Sequence, residues 1–205
     1  MIDSNENARC QQHILTSHAS PAWMVETMRV GLVRHFKVSE PLPSGWMTSD
    51  ELQEWRARYD LAEVCPIPVA QEGANWHRCY ASDLSRAHKT AQAMYSGEIL
   101  AMPELREVEF GSFRTGRLRL PALVWRWALR LAWMTGHSSQ RQFRDDFLSR
   151  VRSVADLIES HEGDLLIVSH AGMMLYLRKE LLRRGFCGPK FGIADHANIY
   201  IYGRD

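Results

Sequence analysis

Arg34 and His35 stand together directly behind a short apolar run, MRVGLV (28–33), in the stretch GLVRHFKV. A guanidinium beside an imidazole at the end of a buried strand joins a rigid anion-binding fork to a ring that titrates near neutrality and can act as a nucleophile. A second apolar run, DLLIVSH (164–170), ends in His170 and continues Ala171-Gly172. Gly172 lets backbone approach a bound group, and the helix expected beyond it offers unpaired N–H donors that suit a phosphate.

Two further pieces fit the same chemistry. YASDLSRAHKTA (80–91) places Arg86 early in a predicted helix, where a second guanidinium reaches the same crevice and two forks can bracket one phosphoryl group. LREVEFGSFRTG (105–116), with Glu104 just before it, sets Glu104, Glu107 and Glu109 ahead of a glycine-containing turn, so that one of the three is available as a proton donor. Taken singly, the Arg-His pair reads equally well as a strand-end cap and Arg86 as an exposed helical arginine; their combination points to a site.

The elements that must position these residues follow from the hydrophobic pattern. Residues 28–33 and 164–170 read as strands covered on both faces, with RCYAS (78–82) and ILAM (99–102) as further strands and ANIYIYG (197–203) as the last. Residues 85–95 suit a helix. In 139–163, Phe143, Phe147, Val151, Val154, Leu157 and Ile158 recur at three- and four-residue steps up to Gly163, and another helix follows His170 and closes at Gly185. Strands alternating with helices predict an α/β protein, a three-layer αβα sandwich with a mainly parallel central sheet. In such a sheet ligands bind beyond the carboxyl ends of the strands, where Arg34, His35 and His170 fall.

The segment RLRLPALVWRWALRLAWMTG (117–136) differs from the rest. It carries three tryptophans but is interrupted by Arg119, Arg126 and Arg130, too often for a membrane span. On a helix these arginines share a face while Leu123, Trp127, Leu131 and Met134 form an apolar stripe. The expectation is a helical cap or insertion over 114–138 beside the site. An ordinary packed helix with that stripe in the core is the simplest account, and substrate cover or membrane-surface contact are the alternatives.

The chain has 205 residues and a formal net charge of +1, enough for one core and with no overall basic field to draw it onto nucleic acid. Residues 1–27 are polar and lack a secretory pattern, which predicts a flexible extension ahead of a single domain over 28–205. Cys10, Cys65, Cys79 and Cys187 form no CxxC pair and fit reduced thiols in a cytoplasmic protein. No cysteine is followed by arginine after five residues, and neither a GxxxxGK loop nor an HExxH metal motif is present.

Arg34-His35 at the end of the first strand, SxLxRAxxTA around Arg86, LxExxFG around Glu107, and Ser169-His170-Ala171-Gly172 occur in an order that resembles the histidine phosphatase superfamily, the phosphoglycerate mutase-like proteins. The resemblance runs from about Met28 to the end of the chain. It implies that His35 is the nucleophile that becomes phosphohistidine, that Arg34, Arg86 and His170 form the phosphate pocket, and that Glu107 is the general acid. The catalytic set is then His35, Glu107 and His170, with no metal and no cofactor. Three departures from the family pattern are visible, the first being Pro41 and Leu42 near the place where a loop usually supplies an asparagine or threonine to the phosphate. Phe36 stands where glycine is usual, and Ser112, Phe113, Arg114 and Thr115 replace the usual continuation after Phe110-Gly111.

The resemblance therefore implies a metal-independent phosphatase acting on a small-molecule phosphomonoester through a phosphohistidine. Mutase-type phosphoryl transfer and a non-catalytic phosphate-binding or interaction protein are the competing readings. The expected partner is the small phosphate ester, with no nucleic acid; the oligomeric state and the identity of the ester stay open.

Overall fold

The computed structural model describes residues 28–69, 75–113 and 115–204. The extension expected over 1–27, Cys10 and Arg114 lie outside the described residues. Nine strands and five α-helices are described: β1 (Met28–Arg34), β2 (Lys37–Val38), β3 (Trp46–Met47), α1 (Ser49–Leu61), β4 (Val64–Cys65), β5 (Arg78–Ser82), α2 (Ser85–Met94), β6 (Ile99–Met102), β7 (Leu120–Pro121), α3 (Ala122–Met134), α4 (Arg141–Glu159), β8 (Leu165–Ser169), α5 (Ala171–Arg183) and β9 (Ile199–Arg204).

Five strands form the central sheet in the order β6-β5-β8-β1-β9. The first four are parallel, and β9 runs antiparallel to β1 along the edge. The central strands read as unbroken apolar runs because both faces are covered. Successive β8 residues separate accordingly: Leu165 and Ile167 join a core with Phe147 and Val154 of α4 and Met173 and Leu177 of α5. Leu166 and Val168 point the other way, onto Ala87, Ala91 and Met94 of α2. The three-layer sandwich with a mainly parallel sheet is thus observed.

Helix α1 was not anticipated from apolar periodicity, since it buries only Ser49 and Leu52. Its start is nonetheless written in the sequence as a capping box: Glu51 N–H donates to Thr48 Oγ1 at 3.2 Å and Thr48 N–H donates to Glu51 Oε2 at 2.7 Å.

The 117–136 segment folds as β7 and α3, and here the expectation about its faces is corrected. The core face is Ala122, Trp125, Leu129 and Trp133. Leu123, Trp127, Leu131 and Met134, the stripe assigned to a packed helix's core, are exposed. The helix is apolar on two sides, so periodicity alone could not say which side meets the protein. Arg119 precedes the helix and pairs with Glu51 Oε1 at 3.0 Å, so only Arg126 and Arg130 lie on α3. Leu52 of α1 joins Trp125 and Leu129 in a small separate cluster that also takes in Phe110 and Phe113. No described helix is long and apolar enough to cross a membrane.

Cys65 and Cys79 are free. Cys187 is disulfide-bonded, against the expectation of reduced thiols throughout. Spacing along the chain does not reveal which thiols folding brings within bonding distance.

Candidate active site

Three adjacent parallel strands, β5, β8 and β1, deliver the chemistry-bearing residues at their carboxyl ends. Arg34 closes β1 opposite Ser169 of β8. His35 follows at once, its N–H donating to Ser169 O at 2.9 Å. His170 follows Ser169 and caps the N-terminus of α5. Arg86 lies in the first turn of α2, just after β5.

His35 is nearly fully buried. Its Nδ1 lies 2.6 Å from the carbonyl oxygen of Phe36. A carbonyl can only accept, so Nδ1 carries the proton and Nε2 keeps a free lone pair. Burial, then the Arg86 guanidinium, pushes the imidazole pKa down to about 3, and the ring is uncharged at neutral pH.

The His170 ring centroid is 5.0 Å from that of His35. Arg86 Nε donates to His170 Nδ1 at 3.3 Å, which places the His170 proton on Nε2, 3.0 Å from Ser82 Oγ. Both ring nitrogens of His170 are thereby engaged. Complete burial, then the neighbouring His35, Arg86 and Arg34, holds its pKa well below the ordinary histidine value.

Arg86 is itself buried in spite of its charge. Its Nη1 donates to Asp60 Oδ1 at 2.8 Å, and its guanidinium carbon lies 5.3 Å from the centre of the Tyr59 ring. Arg34 Nη1 donates to Ala194 O at 2.8 Å, whereas its buried Nε has no acceptor among the described residues. Desolvation lowers the Arg34 pKa from its ordinary value, a loss opposed by the nearby Tyr59, Glu107 and Asp195.

Of the three carboxylates ahead of Gly111, Glu107 is turned toward the start of α5. Its Oε1 accepts from Val108 N–H at 2.9 Å and Met173 N–H at 3.2 Å, and its Oε2 accepts from Gly172 N–H at 3.1 Å. Gly172 permits this approach, because a Cβ there would stand 2.3 Å from Glu107 Oε1. Glu109 is exposed, and Glu104 contributes its carbonyl to Arg150. Arg150 also donates to the carbonyls of Arg106 and Glu107, and Gln140 bonds Gly111 through both its N–H and its carbonyl, so the segment around Glu107 is tied down on two sides.

Several neighbours were not foreseen. Thr90 Oγ1 accepts from Phe36 N–H at 2.8 Å and donates to Arg86 O at 2.7 Å, coupling the two strand-end motifs. His196 donates from Nδ1 to His35 O at 2.6 Å with its ring 5.4 Å away. Tyr59 and Asp60 arrive on α1, for which only the capping box gave a signal. Phe36 is buried, and Phe113 stacks on Trp125 of α3 at 6.1 Å. Two of the departures, Phe36 and Phe113, therefore serve packing here. A groove of about 380 Å³ between residues 40–47 and α1 includes none of Arg34, His35, Arg86, Glu107 and His170. Among the described residues, no group of three or more His, Cys, Asp or Glu side chains is arranged to hold a metal ion.

Comparison with known proteins bears on this arrangement directly. The sequence model of the histidine phosphatase superfamily (branch 1) matches residues 68–205. The chain belongs to the histidine phosphatase superfamily. The matched stretch contains Arg86, Glu107 and His170, while Arg34 and His35 stand outside it and enter through β1. Comparison with curated proteins finds no match.

Solved structures extend the likeness in fold. A mycobacterial glucosyl-3-phosphoglycerate phosphatase superposes with a TM-score of 0.54 at 19% identity, over 84% of this chain and 88% of that one. A phosphoglycerate mutase from Bacillus anthracis gives 0.52 at 16% identity, over 85% and 87%. At such identities the chain shares their architecture, and its chemistry has to be argued from its own residues.

Proposed function

We propose that this member of the histidine phosphatase superfamily hydrolyses a small-molecule phosphomonoester through a phosphohistidine on His35, without a metal ion. The observation that carries the reading is the His35 tautomer: with Nδ1–H held by Phe36 O, an unprotonated Nε2 is available as nucleophile at neutral pH.

In this reading the substrate phosphate sits between Arg34 and Arg86. The unsatisfied Arg34 Nε supports it, since a buried donor without an acceptor costs about 1–3 kcal/mol and a phosphoryl oxygen would satisfy it. His35 Nε2 attacks phosphorus, a P–N bond forms, and the ester P–O bond breaks. Its electrons leave on the alkoxide, which takes a proton from Glu107. Glu107, now a carboxylate, then removes a proton from water as the water oxygen attacks phosphorus. The P–N bond breaks, its electron pair returns to Nε2, inorganic phosphate departs, and Glu107 is again protonated.

Three backbone N–H groups hold the Glu107 carboxyl at the start of α5. His170 supports the pocket by accepting from Arg86 Nε while Asp60 accepts from its Nη1. The segment from 114 to 138 with α3 acts as the cap: the inner face of α3 packs against Phe110 and Phe113, which follow the Glu107 segment.

The test is release of phosphate from p-nitrophenyl phosphate and a panel of phosphomonoesters in EDTA, wild type against His35→Ala. Wild type should hydrolyse at least one ester, and His35→Ala should be slower by about 10⁴-fold or more, the scale for loss of a nucleophile. Equal rates in the two proteins would overturn the reading. Transfer of phosphate from His35 to an added sugar acid in place of water would make the protein a mutase.

A further inference from the structure

Twelve large hydrophobic side chains are exposed among the described residues, and six of them, Leu118, Leu123, Val124, Trp127, Leu131 and Met134, belong to 118–134. A seventh, Trp46, is joined to this unit through its register opposite Pro121. Isolated exposed hydrophobes need no explanation, but a contiguous group of this kind marks a contact surface.

The group has a defined geometry. At 100° per residue Leu123, Met134, Trp127, Leu131 and Val124 span one continuous sector of α3, while Trp125, Leu129 and Trp133 occupy the opposite sector and pack inward. Arg126 and Arg130, one turn apart, line one border between the two sectors. Both are exposed and neither makes an ion pair with a described residue. Along the chain the charge of this stretch has one sign: no acidic residue occurs between Glu109 and Asp145, and that interval holds seven arginines, of which Arg119 pairs with Glu51 of α1.

From these observations we infer that the outer face of α3 docks on the surface of an anionic lipid bilayer. An apolar sector with a tryptophan inserts at the level of the headgroups, and arginines on its border reach the lipid phosphates while their stems stay along the apolar boundary. Charge selects this occupant over a second copy of the chain. A twofold contact through the same face would bring the unpaired Arg126 and Arg130 of two copies together, and like charges across an interface oppose association. The inner face of α3 packs on Phe110 and Phe113, so docking sets the candidate active site beside the bilayer surface. The inference is independent of the reaction proposed above.

Co-sedimentation of the full chain with vesicles tests it. The protein should pellet with phosphatidylglycerol–phosphatidylcholine vesicles at low salt and remain in the supernatant with phosphatidylcholine alone. Trp127→Glu with Leu131→Glu, and separately Arg126→Glu with Arg130→Glu, should each reduce partitioning by about tenfold or more. All four side chains are exposed, so both double variants should keep the wild-type melting curve and the wild-type rate on a soluble ester. Failure of the wild type to bind anionic vesicles would overturn the inference. So would unchanged binding by both double variants, or a concentration-dependent dimer in sizing experiments that Trp127→Glu with Leu131→Glu abolishes.

Discussion

Arg86 is bonded to Asp60 at 2.8 Å, and this one contact ties the buried guanidinium of α2 to the end of α1. Arg86 is almost inaccessible, whereas the Asp60 carboxylate is half exposed, so the pair lies across the boundary between protein and solvent. Asp60 both neutralises a buried cation and competes with any phosphate for the same fork.

Replacing Asp60 by Asn keeps an oxygen acceptor near Arg86 Nη1 and removes the competing charge. KM for a phosphomonoester should fall by about three- to tenfold, the scale of one screened charge a few ångströms away, and inhibition by inorganic phosphate should tighten in parallel. Steady-state kinetics with and without added phosphate read both. A raised KM would mean that Asp60 helps to hold substrate.

Gly172 tests the placement of Glu107. A methyl group there would meet Glu107 Oε1 at 2.3 Å and Val108 Cγ1 at 3.1 Å, so Gly172→Ala must displace the carboxylate. Alanine is favoured over glycine in a helix by about 1 kcal/mol, which offsets part of the crowding. The expected result is a kcat lower by about 10- to 100-fold, as for a misplaced catalytic group, with a melting temperature within about 5 °C of wild type. A large loss of stability with unchanged kcat would show that Glu107 need not sit where it does.

The buried histidines make stability pH-dependent in a stated direction. His35 has a pKa of about 3 in the folded chain, lowered first by desolvation and then by Arg86, against about 6.5 when unfolded. Between those values the unfolded chain takes up a proton that the folded chain refuses, so stability falls as pH falls from 6.5 toward 3. One such histidine contributes a slope of about 1.4 kcal/mol per pH unit and a total of roughly 4–5 kcal/mol at pH 3. His170 and His196, both lowered mainly by desolvation, act in the same direction. Thermal melts from pH 7 to pH 4 should show this decline, and a shallower one in His35→Gln. Identical slopes in the two proteins would contradict the assignment.

Much of the architecture was legible in the chain. The runs at 28–33, 78–82, 99–102 and 164–170 became β1, β5, β6 and β8 within a residue or two, because a strand buried on both faces must be apolar throughout. The long helix before β8 and the helix after His170 were equally visible from their stripes. Strand ends in a parallel sheet converge, which pointed to Arg34, His35 and His170 together, while Arg86 and Glu107 joined them through the motifs that resemble the superfamily.

What sequence could not supply were relations across the fold. Helix α1 buries little, so no stripe announced it, and with it Tyr59 and Asp60 stayed out of view. The His35 tautomer depends on one carbonyl, that of Phe36, and the choice of Glu107 over Glu104 and Glu109 depends on backbone N–H groups at the start of α5. The outward face of α3 was read as core because a helix apolar on two sides has no preferred interior until its neighbours are in place. Composition and period follow from each residue's own demand for burial, and these were readable along the chain. Which donor meets which acceptor, and which apolar face is left to solvent, is set by elements distant in sequence, and only the tertiary structure decides it.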